Sequence, residues 1–401
     1  MEMWASNCGP DEQNYPKGEV MMGNSSQANL EICEPAIPVA SIDTSGWSLR
    51  EGTLTRPHYR PSHERNGNLL QVGVIGYGYW GPNIVRNFHM QEFSRVAMVC
   101  DSRSDALSRA SRAYPETEMV DDYTAMLRSP HIDVIAIVTP VWTHFELAKA
   151  ALENGKHVFL EKPFTSTSAQ ALELIELAER RHLKLMVDHT FLFTGAVRTI
   201  KRLLDEQALG HLYYYDTMRV NLGLFQHDVN VVWDLAPHDL AIMDYLLGIP
   251  GEALIATGQK HVNGVEDIAF LTIFYPGHLI AHVNVNWLSP VKVRSTLLGG
   301  DKKMVIWNDL ESDEKVRVYD RGVDLKTREG VYDLLVSYRS GDMWAPHVDN
   351  TEALGLEIAH FTRCVLENQP MINDGFAGLR IVKVLEAATK SLANHGAEVR
   401  I

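Results

Sequence analysis

Cysteine is scarce in this sequence. The 401 residues include four cysteines, at positions 8, 33, 100 and 364, and no two of them form a C-x-x-C pair. This spacing excludes a zinc knuckle and a disulfide framework, so we expect reduced thiols in a cytoplasmic protein. No grouping of His, Cys and acidic residues has the spacing of a metal site, and no metal is expected.

Long apolar runs and clusters of basic residues are also lacking. No apolar stretch approaches the roughly 18 residues of a membrane span. The first residues, MEMWASNCGPDEQ, carry acids where a secretory signal needs a basic region and an apolar run. The formal net charge is −14, whereas nucleic-acid binding needs clustered Lys and Arg to contact phosphates. We therefore expect a soluble protein that binds neither membranes nor nucleic acid.

The length and the 45% hydrophobic content indicate two globular domains and an extension. Residues 1–68 contain six of the seventeen prolines and little periodic apolar pattern, which predicts a loosely packed polar extension. Residues 69–192 and 193–401 are predicted to form the two domains, because the hydrophobic pattern changes between them.

The pattern in residues 69–192 favours a parallel sheet. Short continuous apolar runs, beginning with LLQVGVIGYG and followed by RVAMVC and DVIAIVTP, alternate with helical stretches such as THFELAKAALENG. Strands of this kind are buried on both faces by helices. The alternation predicts about six strands in an α/β domain.

After Gly210 the pattern indicates longer strands joined by turns. In AHVNVNW, Val283 and Val285 alternate with Asn284 and Asn286, so one face of the strand is apolar and the other polar. This predicts a large, open, mainly antiparallel sheet with helices on one face. The open face is suited to self-association, and we expect a homodimer or homotetramer.

A glycine loop follows the first strand. Gly76, Gly78 and Gly81 form G-x-G-x-x-G between a strand and a helix. The first glycine permits the tight turn, the second lets a pyrophosphate approach the backbone, and the third allows close packing of helix and strand. The phosphates then face the free amides of a helix N-terminus. Tyr79 and Trp80 lie within this loop, and we expect them to contact the dinucleotide.

The cofactor is indicated by the residue that ends the second strand. Asp101 lies about twenty residues beyond the loop, where a carboxylate binds the ribose 2′-hydroxyl. It would repel a 2′-phosphate, so NAD is favoured. Arg103, two residues on, either serves such a phosphate or stacks on the adenine, so NADP is not excluded.

The strand DVIAIVTP followed by THFELAKAALENGKHVFLEKP resembles the Gfo/Idh/MocA family of nicotinamide-dependent sugar oxidoreductases. The most specific local mark is the tripeptide Glu161-Lys162-Pro163. The resemblance runs from about residue 70 to the C-terminus. It implies a Rossmann domain followed by an α/β domain with an open sheet, and it implies that Glu161 contributes to the cofactor site.

The resemblance also assigns parts to residues at other strand ends. Thr139 and Pro140 match the turn beneath the nicotinamide ring, and His144 is expected near that ring. Lys162 matches the lysine close to the nicotinamide and the reacting carbon, and its bond to Pro163 is expected to be cis.

Asp234 and His238 match the family's D-x-x-x-H pair at the start of a helix that lines the substrate cleft. A histidine titrates near neutrality, so His238 suits the exchange of a proton with a reacting hydroxyl. Asp234 would hold the imidazole in one tautomer, and Lys162 would stabilise alkoxide charge. The alternative is that these residues decorate a helix start at Pro237, where acids are favoured.

The segment RVNLGLFQHDVNVVWDLAPHD is rich in polar side chains. Arg219, Asn221, Gln226 and Asn230 offer the donors and acceptors that a polyhydroxylated sugar requires, and Arg219 is able to pair with a carboxylate or phosphate. The segment looks like the branch of the family that oxidises nucleotide-linked sugars, typically at C3, or reduces the ketone.

Two other functions stay open. One is a cyclitol or free-sugar dehydrogenase with the same machinery. The other is a catalytically silent, NAD-sensing regulator, because relatives of this fold include a repressor; the extension at residues 1–68 would then bind a partner.

Overall fold

The computed structural model describes residues 69–223, 225–326 and 335–401, and two short paired strands upstream, β1 (Leu49–Arg50) and β2 (Thr53–Leu54). The rest of the predicted extension, residues 1–68, lies outside the described residues. Its loose packing and the domain bounds at 68 and 192 therefore stay predictions.

A six-stranded parallel sheet occupies the first half of the described chain, in the order β5-β4-β3-β6-β7-β8. Its strands are β3 (Leu70–Ile75), β4 (Ser94–Cys100), β5 (Glu118–Val120), β6 (Val134–Ile137), β7 (His157–Glu161) and β8 (Leu185–Asp188). The helices along this sheet are α1 (Gly81–Met90), α2 (Ser104–Ala113), α3 (Tyr123–Arg128), α4 (Val141–Glu153) and α5 (Ser168–Arg181). The predicted parallel α/β sheet is confirmed.

The sheet order fixes where a ligand can bind. The chain runs outward from β3 through β4 to β5, and then returns to pair β6 on the other side of β3. Beyond the carboxyl ends of β3 and β6 the connections diverge and leave a crevice. All four residues of β6 are buried, as a strand covered on both faces requires.

A second sheet of nine strands lies in the described part of residues 212–400, in the order β16-β15-β14-β13-β9-β12-β11-β10-β17. Its strands are β9 (Leu212–Leu222), β10 (Ala253–Gln259), β11 (Ile268–Phe274), β12 (Ile280–Asn286), β13 (Leu288–Gly300), β14 (Met304–Asn308), β15 (Val316–Lys326), β16 (Leu335–Trp344) and β17 (Val399–Arg400). The pair of β9 with β12 is parallel and the other pairs are antiparallel, which confirms a mainly antiparallel sheet.

Helices α7 (Val231–Leu247) and α9 (Gly375–Ala393) pack against this sheet. Helix α6 (Gly195–Asp205) packs against α7, and α8 (Ala353–Glu367) packs against α1. 3₁₀ turns occur at Thr190–Phe193 and Pro276–His278. Val283 and Val285 of β12 are buried, as their alternation predicted. Met218 of β9 and Phe270 of β11, on the two strands that pair with β12, are exposed. Self-association through the open face stays a prediction. Within the described residues, no helix is long and apolar enough to cross a membrane.

The start of α7 differs from the prediction. The sequence placed a helix start at DLAPHD with Pro237 in its first turn, but α7 begins at Val231 and Pro237 lies inside it. The Asn230 side chain provides the reason, because its Oδ1 accepts a hydrogen bond from the Trp233 amide at 3.1 Å and caps the helix. Asp234 is therefore in the first turn and His238 is one turn later on the same side.

Candidate active site

The glycine loop is built as its spacing predicts. Gly76 has φ +101°, and a Cβ there would lie 2.2 Å from the Val138 carbonyl oxygen. A Cβ on Gly81 would lie 2.4 Å from the Gly76 carbonyl oxygen. Larger residues at either position would therefore break the turn that joins β3 to α1.

The space in front of this loop fits a pyrophosphate. A Cβ on Gly78 would meet nothing closer than the Arg103 guanidinium at 3.8 Å, so the backbone is open to a ligand. No side chain caps the first turn of α1, which leaves its amides available to an anion. Tyr79 is 90% exposed beside the opening. These residues fit NAD, and a contact of Tyr79 with it stays a prediction.

Asp101 and Arg103 form one unit. The Arg103 Nε lies 3.1 Å from one Asp101 carboxylate oxygen, and the Tyr77 amide donates to the other at 2.8 Å. Burial alone would raise the pKa of Asp101, but the hydrogen bonds from Arg103 and the Tyr77 amide lower it. Asp101 is thus an anion at neutral pH. This charge favours a ribose hydroxyl over a 2′-phosphate at that position.

The Trp80 side chain reaches Asp188 at the end of β8, and its expected contact with the dinucleotide stays a prediction. Its Nε1 donates to Asp188 Oδ2 at 3.2 Å. Asp188 is 2% exposed and pairs in register with Glu161 on β7. Burial, followed by the neighbouring Asp188 carboxylate, raises the pKa of both Glu161 and Glu357 well above its usual range. These three residues (Glu161, Asp188 and Glu357), defined here as the acid cluster, join the glycine loop to α8.

The Glu161 side chain is part of this cluster. Its Oε2 is buried without a hydrogen-bond partner in the described structure, and its expected contribution to the cofactor site stays a prediction. Glu357 is fully buried, and its Oε1 accepts from the His189 amide at 3.0 Å and from Asn373 Nδ2 at 2.7 Å. The cluster therefore ties strand ends together. Among the described residues, no group of His, Cys and acidic side chains is arranged to hold a metal ion.

Lys162 meets Asp234 across the cleft, although 72 positions separate them in the chain. Lys162 Nζ donates to the Asp234 carbonyl oxygen at 2.9 Å and lies 3.6 Å from Asp234 Oδ1. The Lys162-Pro163 peptide bond is cis, as expected. Both charged side chains keep some exposure, 15% for Lys162 and 19% for Asp234, so a substrate can reach them.

The predicted pairing of Asp234 with His238 is not formed. The Asp234 Oδ2 accepts from Trp287 Nε1 at 3.1 Å, and its other oxygen faces Lys162. The His238 ring instead packs edge-on against Phe191, with ring centroids 5.1 Å apart. Asp234 thus holds the lysine rather than the imidazole.

His238 keeps one nitrogen free for chemistry. Its Nδ1 is buried without a partner, whereas Nε2 makes no hydrogen bond and is not enclosed. Burial, followed by the charges of Lys162 and Arg219, lowers the pKa of His238 well below 6.5. The imidazole is neutral at pH 7, which is the form that accepts a proton.

His144 is fully buried, and its ring nitrogens lie 2.9 Å from the Pro163 carbonyl oxygen and 2.8 Å from the Thr139 carbonyl oxygen. A neutral imidazole donates one hydrogen bond, to one or the other of these carbonyls, and the contacts hold the two turns together. The expected position of His144 near the nicotinamide ring stays a prediction. Thr139 and the exposed Pro140 stand at the crevice edge, where their predicted contact with nicotinamide is untested.

Two of the four predicted sugar-binding residues have structural partners. Arg219 is 5% exposed and forms a bidentate pair with Asp239, at 2.6 and 3.1 Å. Asn230 caps α7 and donates to Glu266 at 2.8 Å. Asn230 and Arg219 thus have structural partners of their own, and contact of either side chain with a sugar stays a prediction.

The other two predicted sugar-binding residues keep their polar ends available. The Asn221 and Gln226 side chains make no hydrogen bond within the described structure and are partly exposed. Their predicted contact with a sugar stays a prediction. His189 is 2% exposed, and neither of its ring nitrogens has a hydrogen-bond partner among the described residues.

Three residues near His238 were missed from the sequence: Phe191, Asp239 and Arg294. The Phe191 ring contacts His238 and two guanidiniums, those of Arg219 at 4.5 Å and Arg294 at 5.4 Å from its centroid. The alternation of residues along β13 could have identified Arg294. Thr296 and Leu298 are buried on one face of β13, and Arg294, two residues before Thr296, lies on the same face.

Two family models match the chain. The model described as an oxidoreductase family with an NAD-binding Rossmann fold matches residues 70–189, and the Gfo/Idh/MocA C-terminal domain matches residues 197–306. Together they cover more than half of the chain. The chain belongs to the Gfo/Idh/MocA family.

Relatives within this family have several substrates. The uncharacterised oxidoreductase YdgJ of Escherichia coli is 35% identical over 205 residues, which are 47% of this chain and 57% of that protein. The UDP-N-acetylglucosamine 3-dehydrogenase of Acidithiobacillus ferrooxidans is 26% identical over 78% of this chain and 94% of its own. Its solved structure (GnnA) superposes with a TM-score of 0.68 at 24% identity, over 81% of this chain and 98% of that one. The Bacillus subtilis scyllo-inositol 2-dehydrogenase IolW, which uses NADP⁺, is 24% identical over 82% and 95%.

Proposed function

We propose that this protein is an NAD-dependent dehydrogenase or ketoreductase acting on a nucleotide-linked hexose or uronic acid, at C3 of the sugar. The observation that carries the proposal is the meeting of Lys162, Asp234 and His238 at the edge of the parallel sheet next to the glycine loop. Lys162 and His238 come from distant segments and both retain groups that a substrate can reach.

The residues suit the exchange of a proton with a secondary alcohol. NAD, when bound, supplies the acceptor for the hydride that leaves the carbinol carbon. Lys162 Nζ donates to the reacting oxygen and stabilises the charge that develops there. His238 Nε2, neutral at pH 7, takes the hydroxyl proton and returns it in the ketone-reducing direction. Asp234 holds the lysine in place.

The substrate class is supported by the polar lining and by the relatives. Asn221 and Gln226 leave amide groups free beside the cleft, which suits the hydroxyls of a sugar. The A. ferrooxidans relative, by its name, acts at carbon 3 of a UDP-linked sugar and aligns with most of this chain. The scyllo-inositol dehydrogenase aligns over a similar share, so a cyclitol or free sugar is the second candidate. The retained Lys162 and His238 speak against a silent regulator.

The test is NADH formation at 340 nm with enzyme at near-substrate concentration, across UDP-, dTDP- and GDP-hexoses, their uronic acids, free sugars and cyclitols. A rise with a nucleotide sugar supports the proposal, and a rise only with a free sugar or cyclitol favours the second candidate. If NAD binds but nothing is oxidised, reduction of keto-sugars is tested next. A partner pulled down only when residues 1–68 are present would then favour the regulator.

Two variants test the assigned residues. Lys162→Ala and His238→Ala are expected to lower turnover by about 10²–10⁴-fold each while NAD still binds. NAD affinity is measured by calorimetry on the same preparations. Turnover that survives both substitutions contradicts the assignment.

A further inference from the structure

Two guanidiniums flank the ring that supports the proposed base. Arg219 and Arg294 lie 4.5 and 5.4 Å from the Phe191 ring centroid, and the His238 ring lies 5.1 Å from it. His238 and Arg294 thus pack on the same aromatic ring, and the charge of Arg294 acts on the imidazole. A pyranose ring is about the size of a phenyl ring, so a sugar with one hydroxyl at His238 is able to reach Arg294 with a substituent across its ring.

The two arginines also face each other directly. Arg219 on β9 and Arg294 on β13 are register partners in the antiparallel pair. Like charges at directly opposed positions destabilise a sheet unless anions compensate them. Asp239 compensates Arg219 with two hydrogen bonds, and this pair is almost completely buried.

The charge of Arg294 is compensated less fully than that of Arg219. Its Nη1 donates to Asp309 Oδ2 at 3.2 Å, and its Nε and Nη2 make no hydrogen bond in the described part of the chain. The side chain is 31% exposed, so these donors are accessible. A guanidinium with a free edge matches a planar carboxylate, which accepts two parallel hydrogen bonds.

We propose that Arg294 binds a carboxylate carried by the sugar ring, and that the substrate is a nucleotide-linked uronic acid rather than the neutral hexose. This inference rests on the proposed function and narrows its substrate. Arg294 is then the residue that selects the acid, and Phe191 sets its distance from His238. A bound carboxylate also compensates the positive charge that Lys162, Arg219 and Arg294 place around the base.

The test compares UDP-N-acetylglucosamine with its C6 uronic acid, and UDP-glucose with UDP-glucuronic acid, so that both members of each pair share the diphosphate. The wild type is expected to favour the acid by about tenfold or more in kcat/KM. Arg294→Gln is expected to lower kcat/KM for the acid by about 10- to 100-fold and to change the neutral sugar by less than about threefold. The free uronic acids are included to separate the carboxylate from the diphosphate.

Two further variants make the result specific. Arg317→Gln is the matched control, because Arg317 lies on the same sheet with the same 31% side-chain exposure. This variant should leave kcat/KM unchanged for both the acid and the neutral sugar. Asp309→Asn removes the competing carboxylate and is expected to lower KM for the acid. A gain of this kind would not follow from a purely structural part for Arg294.

The outcomes separate this inference from the proposed function. Equal use of acid and neutral sugar by the wild type, or equal loss of both in Arg294→Gln, overturns the inference and leaves the enzyme class intact. If neither sugar is turned over, calorimetry with the NAD-loaded protein decides. Binding of the acid that Arg294→Gln abolishes supports the inference while the proposed reaction fails, and no binding of either sugar overturns both.

Discussion

The Trp80 indole donates a hydrogen bond to Asp188 at 3.2 Å, and this contact joins the glycine loop to the far edge of the parallel sheet. Asp188 also accepts from the Thr190 amide, which begins the turn that carries Phe191. The dinucleotide loop and the Phe191 ring beside His238 are therefore linked through one carboxylate. A change at Trp80 is therefore expected to affect both the dinucleotide loop and the position of the Phe191 ring.

Trp80→Phe keeps the aromatic ring and removes the donor, which leaves a buried Asp188 oxygen without its indole partner. We expect a loss of about 1–2 kcal/mol in unfolding free energy and NAD binding weaker by roughly three- to tenfold. Denaturant unfolding and NAD calorimetry measure the two effects. Tyr79→Phe, in the same loop but 90% exposed, is the control and should be nearly neutral for stability. Unchanged NAD affinity in Trp80→Phe would show that the contact does not shape the loop.

The acid cluster predicts an unusual response to Glu357→Gln. Burial and Asp188 raise the pKa of Glu357, so its neutral form is favoured in the folded protein and stability falls as pH rises above about 4.5. An amide keeps the acceptor for His189 and Asn373 and never ionises. Glu357→Gln should therefore be as stable as the wild type, or more stable, at pH 7 and should gain nothing at pH 4.

One control for this substitution is expected to lower stability and the other to leave it unchanged. Glu357→Ala removes the acceptor and leaves a cavity, which should cost about 2–4 kcal/mol at either pH. Glu367→Gln, exposed at the end of the same helix, should have little effect. Thermal unfolding at pH 4 and 7 measures all three. A loss of stability at pH 7 in Glu357→Gln comparable to that of the alanine variant would contradict the cluster's assigned charge state.

His189 is expected to make stability depend on pH. Burial lowers its pKa from 6.5 to about 4, so the unfolded chain takes up a proton that the folded protein refuses. This contribution is complete above pH 6.5 and is lost as pH falls from 6.5 toward 4. It is on the order of 3 kcal/mol over that range.

His189→Gln tests this expectation by denaturant unfolding at pH 7 and pH 5. The difference in unfolding free energy between the two pH values should shrink by about 2 kcal/mol relative to the wild type. His131→Gln, at an exposed histidine, should leave the difference unchanged. An unaltered slope in His189→Gln would mean that the histidine is protonated in the folded protein.

How much the sequence predicts depends on whether the signal is local. The strand, the glycine loop and the following helix are contiguous, and the turn sterics at Gly76 and Gly81 follow from spacing alone, so this part was predicted. The choice of partners for Asp234 and Arg219 depends on how α7 lies across β9. Positions 234 and 239 are both aspartates, so the sequence does not distinguish their partners. The tertiary arrangement pairs Asp239 with Arg219 and Asp234 with Lys162.

The start of α7 shows a local signal that was misjudged. Proline is favoured in a first helical turn, and this placed the start near Pro237. A helix that started at Pro237 would have Ala236 at its cap position. Asn230, six residues earlier, is a favoured cap residue, and the apolar residues that follow it are buried against the sheet. The burial of Val231 and Val232 outweighs the hydrogen bond that Pro237 removes.

Asn230 can now be tested as a cap rather than a substrate ligand. Asn230→Ala should cost about 1 kcal/mol in unfolding free energy, whereas Asn230→Ser keeps a capping oxygen and should cost less. Both should leave kcat/KM within about threefold, because the side chain is occupied by Trp233 and Glu266. A folded Asn230→Ala protein with a tenfold higher KM would return Asn230 to the substrate site.

The charge around His238 predicts the acidic limb of the pH–rate profile. Burial, followed by Lys162 and the nearby arginines, lowers the pKa of His238, so the base stays unprotonated well below pH 6.5. In the oxidative direction kcat/KM should hold its value from pH 7 down past 6.5 and fall only in more acid solution. Removing one of these cations in Arg294→Gln should move that limb upward, measured with the neutral sugar so that binding of a carboxylate does not intervene. Arg317→Gln should not move it. An acidic limb at pH 6.5 or above in the wild type would mean that the pKa of His238 is not lowered in the free enzyme, or that another group takes the proton. His238→Gln distinguishes these, because it abolishes the limb only when His238 is the base.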